Sequence, residues 1–319
     1  MRTFNITVST FIAFGCVVAF SGNTASAQYM GGLQQRTNRY IEVTGKVLQR
    51  PGTDNGFAVA VDGLTEAPLL TSSDITDLGG GSGGEAKFGW TNRYGGDWEI
   101  RTNLGKFQNN ASVSSPSGAP VTSPLFEGGQ VGAISYDYTS EFYSFELNHR
   151  RSLRPGCTWV VGPRFISLKE NFDFNTETSI GGFDFTTTNS FATSNSLIGG
   201  QAGLEFGCPL TPALKLTGFL RVGGYGNPTA LRTTASNSFQ QGQQAESTKG
   251  IASFVGECGG TAYYEIVPNT WSAFVGYEAT WIDGVALAPT QALSVGETEV
   301  ITNNTPFWHS INFGLRFDF

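Results

Sequence analysis

The stretch TPFWHSINFGLRFDF, residues 305–319, decides how the rest of the chain is interpreted. Its apolar side chains share one parity, namely Phe307, Ile311, Phe313, Leu315, Phe317 and Phe319. A period of two residues predicts a β-strand with one apolar and one polar face. An unpaired strand of this kind invites aggregation. A closed barrel pairs it and turns its apolar face to lipid.

The composition also favours a membrane barrel. The 319 residues include 42 glycines, carry a net charge of −7, and only 14% of them are charged. Soluble domains carry about a quarter charged residues. The charge is not clustered, so no nucleic-acid partner is predicted. No run of residues after position 28 is long and apolar enough for a spanning helix.

Residues 1–27 have the pattern of a secretory signal peptide. Arg2 supplies the positive charge, FIAFGCVVAF at 11–20 is the apolar region, and Ala25-Ser26-Ala27 is the cleavage site. The alternative is a lipoprotein site at Gly15-Cys16, but the apolar run before it is short and lacks leucine.

The mature chain is therefore expected to begin at Gln28. We expect a flexible leader over residues 28–38 and a single barrel domain over residues 39–319. The exported chain and its last strand together predict localisation in the cell outer membrane.

Short turns alternate with long polar loops along the chain. The short turns are predicted at 93–96, 153–156, 208–212 and 267–269, and the long loops at 50–84, 108–128, 227–248 and 284–304. The connection at 175–181 fits this alternation least well, and an extra strand is considered at Phe57–Val61. Periplasmic turns and longer extracellular loops are typical of outer-membrane barrels.

The predicted fold is an all-β, antiparallel, up-and-down transmembrane β-barrel of about ten strands. Twelve strands is the alternative, if the segments at 130–152 and 183–207 each split in two. A register fault is expected near residues 139–141. A secreted soluble β-sandwich, with the same apolar side chains in a core, is a third interpretation.

Charged residues of both signs fall on the inward parity of the predicted strands. The predicted lumen-lining residues are Glu42, Lys46, Glu99, Arg101, Glu146, Arg150, Arg164, Glu170, Glu205, Lys215, Arg221, Glu257, Glu278 and Arg316. Such charges select solutes in an open pore, or they pair and close a narrow barrel. The interior of a barrel of about eight strands is filled by side chains, whereas a barrel of sixteen strands leaves a channel. A porin-like channel and a closed barrel with a structural or adhesive role through its loops both stay open.

Nothing in the sequence predicts an enzyme, a metal site or a cofactor. The mature chain has His149 and His309, and both fall on the outward parity. A catalytic histidine needs a carboxylate or serine within reach. The GGGSGG run at 79–84 is predicted to be loop, because no helix follows it to cradle a phosphate.

Three cysteines remain after the signal peptide. Cys157 and Cys208 are predicted at the same end of neighbouring strands, and the periplasm is oxidising, so a disulfide between them is considered. The alternative is two small turn residues that never meet. Cys258 is predicted to be an apolar, lipid-facing thiol.

Tryptophans lie near the ends of the predicted strands, at Trp90, Trp98, Trp159, Trp271 and Trp281. In a membrane barrel such residues form the interfacial aromatic girdles. In a sandwich they would lie in the core.

Four stretches resemble the β-barrel porin families of bacterial outer membranes, which include Legionella-type major outer-membrane porins and planctomycete porin-like proteins. They are SFELNHRRSL at 144–153, GPRFISLKENF at 162–172, TSNSLIGGQAGLEFG at 193–207 and WIDGVALAPTQ at 281–291. The family pattern has tyrosine where Phe165 stands. The resemblance implies a pore-forming protein and carries no catalytic residues.

The last strand also resembles the C-terminal β-signal of bacterial outer-membrane proteins, which ends in phenylalanine, here Phe319. This resemblance implies the barrel-insertion machinery and outer-membrane lipid as partners. A homo-oligomer is left open.

Overall fold

A computed structural model describes residues 39–52, 58–91, 96–115, 119–123, 130–180, 183–237, 240–294 and 299–319. The predicted signal peptide at 1–27 and leader at 28–38 lie outside these residues. Within the described chain, no helix is long and apolar enough to cross a membrane.

Ten antiparallel strands close into one barrel, which confirms the predicted fold and the lower strand count. With strands numbered in chain order, the wall consists of β1 (Arg39–Arg50), β4 (Gly79–Thr91), β5 (Asp97–Ser114), β8 (Ala133–Arg154), β9 (Cys157–Ile180), β10 (Phe183–Pro209), β11 (Leu214–Asn237), β12 (Gln240–Val267), β13 (Trp271–Asp283) and β14 (Phe307–Asp318).

The first and last wall strands pair and complete the ring. The Arg39 amide donates to the Phe319 carbonyl at 3.0 Å, and the Phe319 amide donates to the Arg39 carbonyl at 2.9 Å. We call this end of the barrel the terminal end and the opposite end the loop end. Short turns join strands at the terminal end, at residues 155–156, 210–213 and 268–270. The predicted turn at 93–96 lies almost wholly outside the described residues.

The outer wall carries an apolar belt, as the terminal strand predicted. In β14, Ile311 and Phe313 are 55% and 53% exposed, whereas Asn312 between them is 7% exposed and faces inward. Val43, Phe145, Leu220 and Val275 are exposed in the same way on other strands. The wall is one sheet closed on itself, and among the described residues no other sheet covers these outward side chains. The sandwich interpretation is therefore wrong.

Several strands extend well beyond their predicted ends. β11 has 24 residues and β12 has 28, and together they include most of the predicted loop at 227–248. Residues 108–114 likewise belong to β5, and residues 175–180 to β9. About 9–11 residues cross a membrane, so the loop-end parts of these strands project beyond the apolar belt. Both faces of these loop-end parts are polar, so the sequence shows no alternation of polar and apolar residues there.

The glycine run at 79–84 is strand, not loop, because it pairs with β1 and β5. Its inward positions make room for bulky neighbours. A Cβ on Gly81 would lie 2.5 Å from the Lys106 carbonyl oxygen and 2.7 Å from Phe107 Cδ1. One on Gly83 would lie 2.4 Å from the Leu104 carbonyl oxygen and 3.1 Å from Leu48 Cδ1. Glycine is required there by packing, which polarity patterns do not reveal.

The predicted register fault near residues 139–141 is absent. The pairing of β8 with β5 runs without a shift through Ser140 and Glu141. Inward burial also continues unbroken, and Tyr136, Tyr138 and Phe142 point into the barrel. The polarity of the inward residues of β8 changes near residue 140 because the lumen becomes apolar toward the loop end, while the strand register stays the same.

Two segments cover the loop end. The cap is a small sheet of β2 (Ala58–Asp62), β3 (Pro68–Thr71), β6 (Val121–Thr122) and β7 (Gln130–Val131), followed after β3 by helix α1 (Ser72–Thr76). The extra strand considered at Phe57–Val61 corresponds to β2. The plug is residues 285–293, which include helix α2 (Ala288–Leu293) and come from the predicted loop at 284–304.

Candidate functional site

The predicted lumen-lining residues lie on the inward parity of their strands, in three groups along the barrel. The central layer contains Lys46, Arg101, Glu146, Arg164, Arg221, Glu257 and Glu278; the terminal-end group contains Glu42, Glu99, Arg150, Glu205, Lys215 and Arg316; Glu170 lies toward the loop end.

Arg101 is the centre of the ion-pair layer and contacts carboxylates from four other strands. Its Nη2 atom lies 2.7 Å from Glu85 Oε2 and 3.1 Å from Glu278 Oε1. Its Nη1 atom lies 3.4 Å from Glu257 and 3.5 Å from Glu146. The side chain is 2% exposed. One guanidinium therefore ties together strands from opposite sides of the lumen.

Two further arginines complete the central layer. Arg164 Nη2 donates to Glu257 Oε1 at 2.6 Å, across the lumen from β9 to β12. Arg221 Nη2 donates to Glu205 Oε1 at 2.7 Å. Lys46 bridges Glu85 at 2.8 Å and Glu278 at 3.1 Å. These cations are locked onto glutamates and do not line an open space.

Strand register explains why these charges meet. Arg101 lies opposite Glu146 on the neighbouring strand, Glu146 lies opposite Arg164, and Arg221 lies opposite Glu257. Opposite charges in directly facing cross-strand positions attract each other. The same parity that turns apolar residues outward therefore builds the charged layer.

The terminal-end group is less buried at Arg150, Glu205, Lys215 and Arg316, whereas Glu42 and Glu99 are 2% and 3% exposed. Arg150 pairs with Glu205 and lies 3.4 Å from Glu99, with its side chain 21% exposed. The Tyr40 hydroxyl donates to Glu99, and Arg316 stacks over the Tyr40 ring at 3.9 Å. Lys215 is exposed and has no ion pair within the described chain. The lumen is therefore most accessible from this end.

Glu170 links the wall to the plug. Its Oε1 atom accepts from Arg50 Nη1 at 2.6 Å and from Ser140 Oγ at 3.0 Å. Its Oε2 atom accepts from the Ala288 amide in the plug at 3.0 Å. The Glu170 and Arg50 side chains are 0% and 2% exposed.

Polar side chains on the inward face of the wall hold the plug backbone. Asn195 donates to the Ala286 carbonyl at 2.8 Å and accepts from the Ala286 amide at 2.9 Å. Just before the plug, the Gly284 carbonyl accepts from Asn227 at 3.2 Å and from Ser253 at 2.5 Å. Because these side chains all point inward, the plug lies inside the lumen.

An apolar layer separates the ions from the loop end. Plug residues Val285, Leu287 and Ala288 join a buried cluster with wall residues that include Leu48, Phe142, Leu197, Tyr225 and Trp308. A cavity between Lys46, Leu48 and Trp308 has a volume of about 10 Å³. That is about the space of one water molecule. In this conformation the described lumen is closed.

Sequence reasoning missed three parts of this site. Arg50 follows the inward parity of Glu42 and Lys46 and ends β1, but the predicted loop at 50–84 included it. Trp308 lies on the face of the terminal strand that is predicted to be polar, yet it is buried in the lumen against Phe142. The plug had one signal, an apolar run within a predicted polar loop.

The two histidines lie on the outward parity, as predicted, and the five tryptophans near strand ends lie on it too. His149 packs between the rings of Trp98 and Trp159, and His309 packs against Tyr277 and Phe307. In the part of the chain that is described, no group of three His, Cys, Asp or Glu residues could hold a metal ion.

The disulfide considered between Cys157 and Cys208 is not formed, and both thiols are free. The register places Cys157 opposite Phe206, so Cys208 lies two residues further along its strand. Sequence position alone could not fix this offset. Cys258 lies on the outward parity and is partly exposed.

Comparison with known proteins yields similarity of fold only. No protein-family model matches the chain, and no curated protein matches its sequence. The chain is similar to the outer membrane protease OmpT from Escherichia coli at 9% identity, covering 90% of this chain and 98% of that chain, with a TM-score of 0.48.

Two other solved structures are similar over comparable lengths. A major outer membrane protein from Thermus thermophilus is 12% identical, with 89% of this chain and 100% of that chain covered and a TM-score of 0.34. The toluene transporter TbuX from Ralstonia pickettii is 10% identical, with 89% and 90% covered and a TM-score of 0.30. The resemblance to Legionella-type porins stays a prediction.

Proposed function

We propose that the protein is an outer-membrane channel for small solutes or ions, and that the closed lumen described above is its resting state. One observation carries this proposal. The segment that closes the loop end of the lumen is a plug held by Glu170 and Asn195, with Asn227 bonded to Gly284 just before it, and it is not a strand of the wall. The plug can therefore leave while the barrel stays intact.

The apolar belt supports the membrane location. A belt of exposed aliphatic and aromatic side chains around a closed barrel matches a lipid-facing surface. Short turns at the terminal end and projecting strands at the other end match a periplasmic and an extracellular side. We therefore assign the terminal end to the periplasm.

The charged layer supports a channel over an inert barrel. Buried ion pairs are expensive to desolvate, and well-packed apolar residues often replace them with equal or greater stability. Ionisable residues inside membrane proteins commonly mark solute or ion pathways. If the interior of the barrel had only to be packed, apolar side chains would be enough, and an ion-pair layer around Arg101 would not be needed. Once water enters past a displaced plug, its charges can exchange partners.

Solute flux through proteoliposomes tests the proposal. We compare the full-length protein with a variant in which residues 285–303 are replaced by a short turn. The variant should admit small solutes in a swelling assay, whereas the unaltered protein should stay near the rate of empty liposomes. A folded variant, identified by its heat-modifiable band on a gel, that remains equally tight would contradict the proposal.

A closed barrel with a structural or adhesive role is the second candidate. The projecting hairpin of β11 and β12 favours it, since strands of 24 and 28 residues exceed what crossing the membrane requires. This candidate predicts no flux from either protein. It also predicts that shortening this hairpin reduces attachment of cells to a surface.

A further inference from the structure

A groove on the outer face of the wall is not explained by either function. It has a volume of about 550 Å³ and lies where β4, β5, β8 and β9 run side by side. Its outward-facing lining includes Gly84, Leu104, Lys106, Glu141, Tyr143 and Lys169. The groove therefore opens toward the surroundings of the barrel and is separate from the lumen.

Three charged residues stand in one row across the groove. Lys106 lies opposite Glu141, and Glu141 lies opposite Lys169. The Lys106 and Glu141 side chains are 57% and 56% exposed and form an ion pair at 3.1 Å. Lys169 is exposed and has no ion-pair partner among the described residues. The row has two cations and one anion, so it attracts a negative group.

The row lies at the edge of the apolar belt. On the terminal-end side of it, the next outward residues are Leu104, Tyr143 and Ser167, and Phe165 follows Ser167 on β9. Leu104 is 55% exposed. On the loop-end side, the next outward residues are Gln108, Thr139 and Asn171, which are polar. The groove therefore spans the boundary between an apolar and a polar zone.

Glycine keeps the groove open. Gly84 faces outward between the flanking side chains, and a Cβ placed there would meet only the Thr44 carbonyl oxygen, at 3.4 Å. A larger residue would fit the backbone and fill the groove. The missing side chain at Gly84 thus contributes to the depression.

We propose that this groove binds one phosphorylated lipid of the outer leaflet. Its phosphate contacts Lys106 and Lys169, and an acyl chain lies along Leu104 and Tyr143. The inference rests on the membrane location proposed above, but it does not require that the lumen conducts. A phosphate accepts charge-assisted hydrogen bonds from ammonium groups. The charged row lies on the loop-end side of the apolar residues. In the same way, the headgroup of an outer-leaflet lipid lies on the outer side of its acyl chains.

Binding of purified lipid A to the full-length barrel in detergent micelles tests the charges. Diphosphorylated lipid A is titrated against the dephosphorylated lipid by native mass spectrometry. We expect Lys169→Met to weaken binding of the diphosphorylated lipid about tenfold, the loss of one charge-assisted contact. Glu141→Gln should instead tighten it several-fold, because it frees Lys106 from its ion pair. Equal binding of both lipids, or Glu141→Gln weakening it, would overturn the proposal.

A steric variant tests the groove without altering charge. Gly84→Leu should reduce lipid A binding at least tenfold, whereas Gly80→Leu should leave it unchanged. Gly80 lies on the same strand, is exposed, and has no atom within 4 Å of an added Cβ. If the two variants bind alike, or if millimolar inorganic phosphate competes fully with the lipid, the groove is not a lipid site. The heat-modifiable band of each variant confirms its fold, and no arm depends on flux.

Discussion

The backbone amide of Ala288 donates a hydrogen bond to Oε2 of Glu170 at 3.0 Å, and this contact joins the plug to the wall. The other oxygen of the same carboxylate is engaged by Arg50 at 2.6 Å. A single buried glutamate therefore holds the plug and neutralises a buried arginine. Because the same carboxylate makes both contacts, the closure of the lumen and the stability of the barrel both depend on Glu170.

Replacement of Glu170 should loosen the plug. In Glu170→Gln the buried Arg50 loses its counter-charge, and breaking a buried pair costs about 3–5 kcal/mol. We expect that loss of unfolding free energy in urea titrations in lipid vesicles, together with faster solute entry. Glu177→Gln is the control, since Glu177 is an exposed residue of the same strand, and it should change stability by less than about 0.5 kcal/mol.

The paired variant Arg50→Met with Glu170→Met separates the two roles of Glu170. Removing both charges should recover most of the lost stability, because apolar replacements of a buried pair are often neutral. The solute entry should stay raised, since methionine offers no oxygen to accept the hydrogen bond from the Ala288 amide. Stability as low as in Glu170→Gln would show that the pair is not the source of the loss.

Arg101 should be the most sensitive position in the ion-pair layer. Arg101→Met leaves Glu85, Glu146, Glu257 and Glu278 without their shared cation, so we expect at least about 3–5 kcal/mol of destabilisation. Lys106→Met, on the same strand but in an exposed pair, should cost about 0.2–1 kcal/mol. Urea titration of both variants measures the difference. Comparable losses would mean that the layer is hydrated and already loose.

The apolar belt makes a prediction about Ile311. Because this side chain faces lipid, Ile311→Arg should destabilise the folded barrel by about 2–4 kcal/mol. Gln108→Arg, outward-facing but beyond the belt, should have little effect. Refolding titrations in vesicles compare the two, and an innocuous Ile311→Arg would place this face in water.

The cysteines make a chemical prediction. Protein expressed in the periplasm, purified without reductant and denatured should react with a maleimide at Cys157, Cys208 and Cys258, because the described thiols are free. Mass spectrometry counts the labels. A labelled Cys258 alone would show that the other two thiols form the disulfide after all.

Polarity alternation in the sequence predicted the wall wherever lipid enforces it. The terminal strand, the inward charges and the count of ten strands all follow from one apolar and one polar face. Alternation disappears where both faces meet water, so the projecting parts of β11 and β12 resembled a loop. The same rule hid the glycines of β4, whose role is to accommodate Leu48 and Phe107.

The lumen was harder to predict than the wall. Its charges were found, but the partners of Arg101 depend on which strands face each other across the barrel. Trp308 and Tyr138 broke the expectation that inward means polar, because the loop-end half of the lumen is apolar. The position of the plug could not be predicted, because an apolar run such as that at 285–289 does not indicate which surface it packs against.

Single-channel recording with a cleavable link between plug and wall tests the account most directly. Asn195→Cys and Ala286→Cys, at positions joined by a 2.8 Å hydrogen bond, are connected by a short bifunctional thiol reagent that contains a disulfide. Serine replaces Cys157, Cys208 and Cys258. We predict brief discrete openings in planar bilayers that disappear when the link forms and return when it is reduced. Openings that persist in the linked protein, or no openings in either state, would contradict a plug-gated channel.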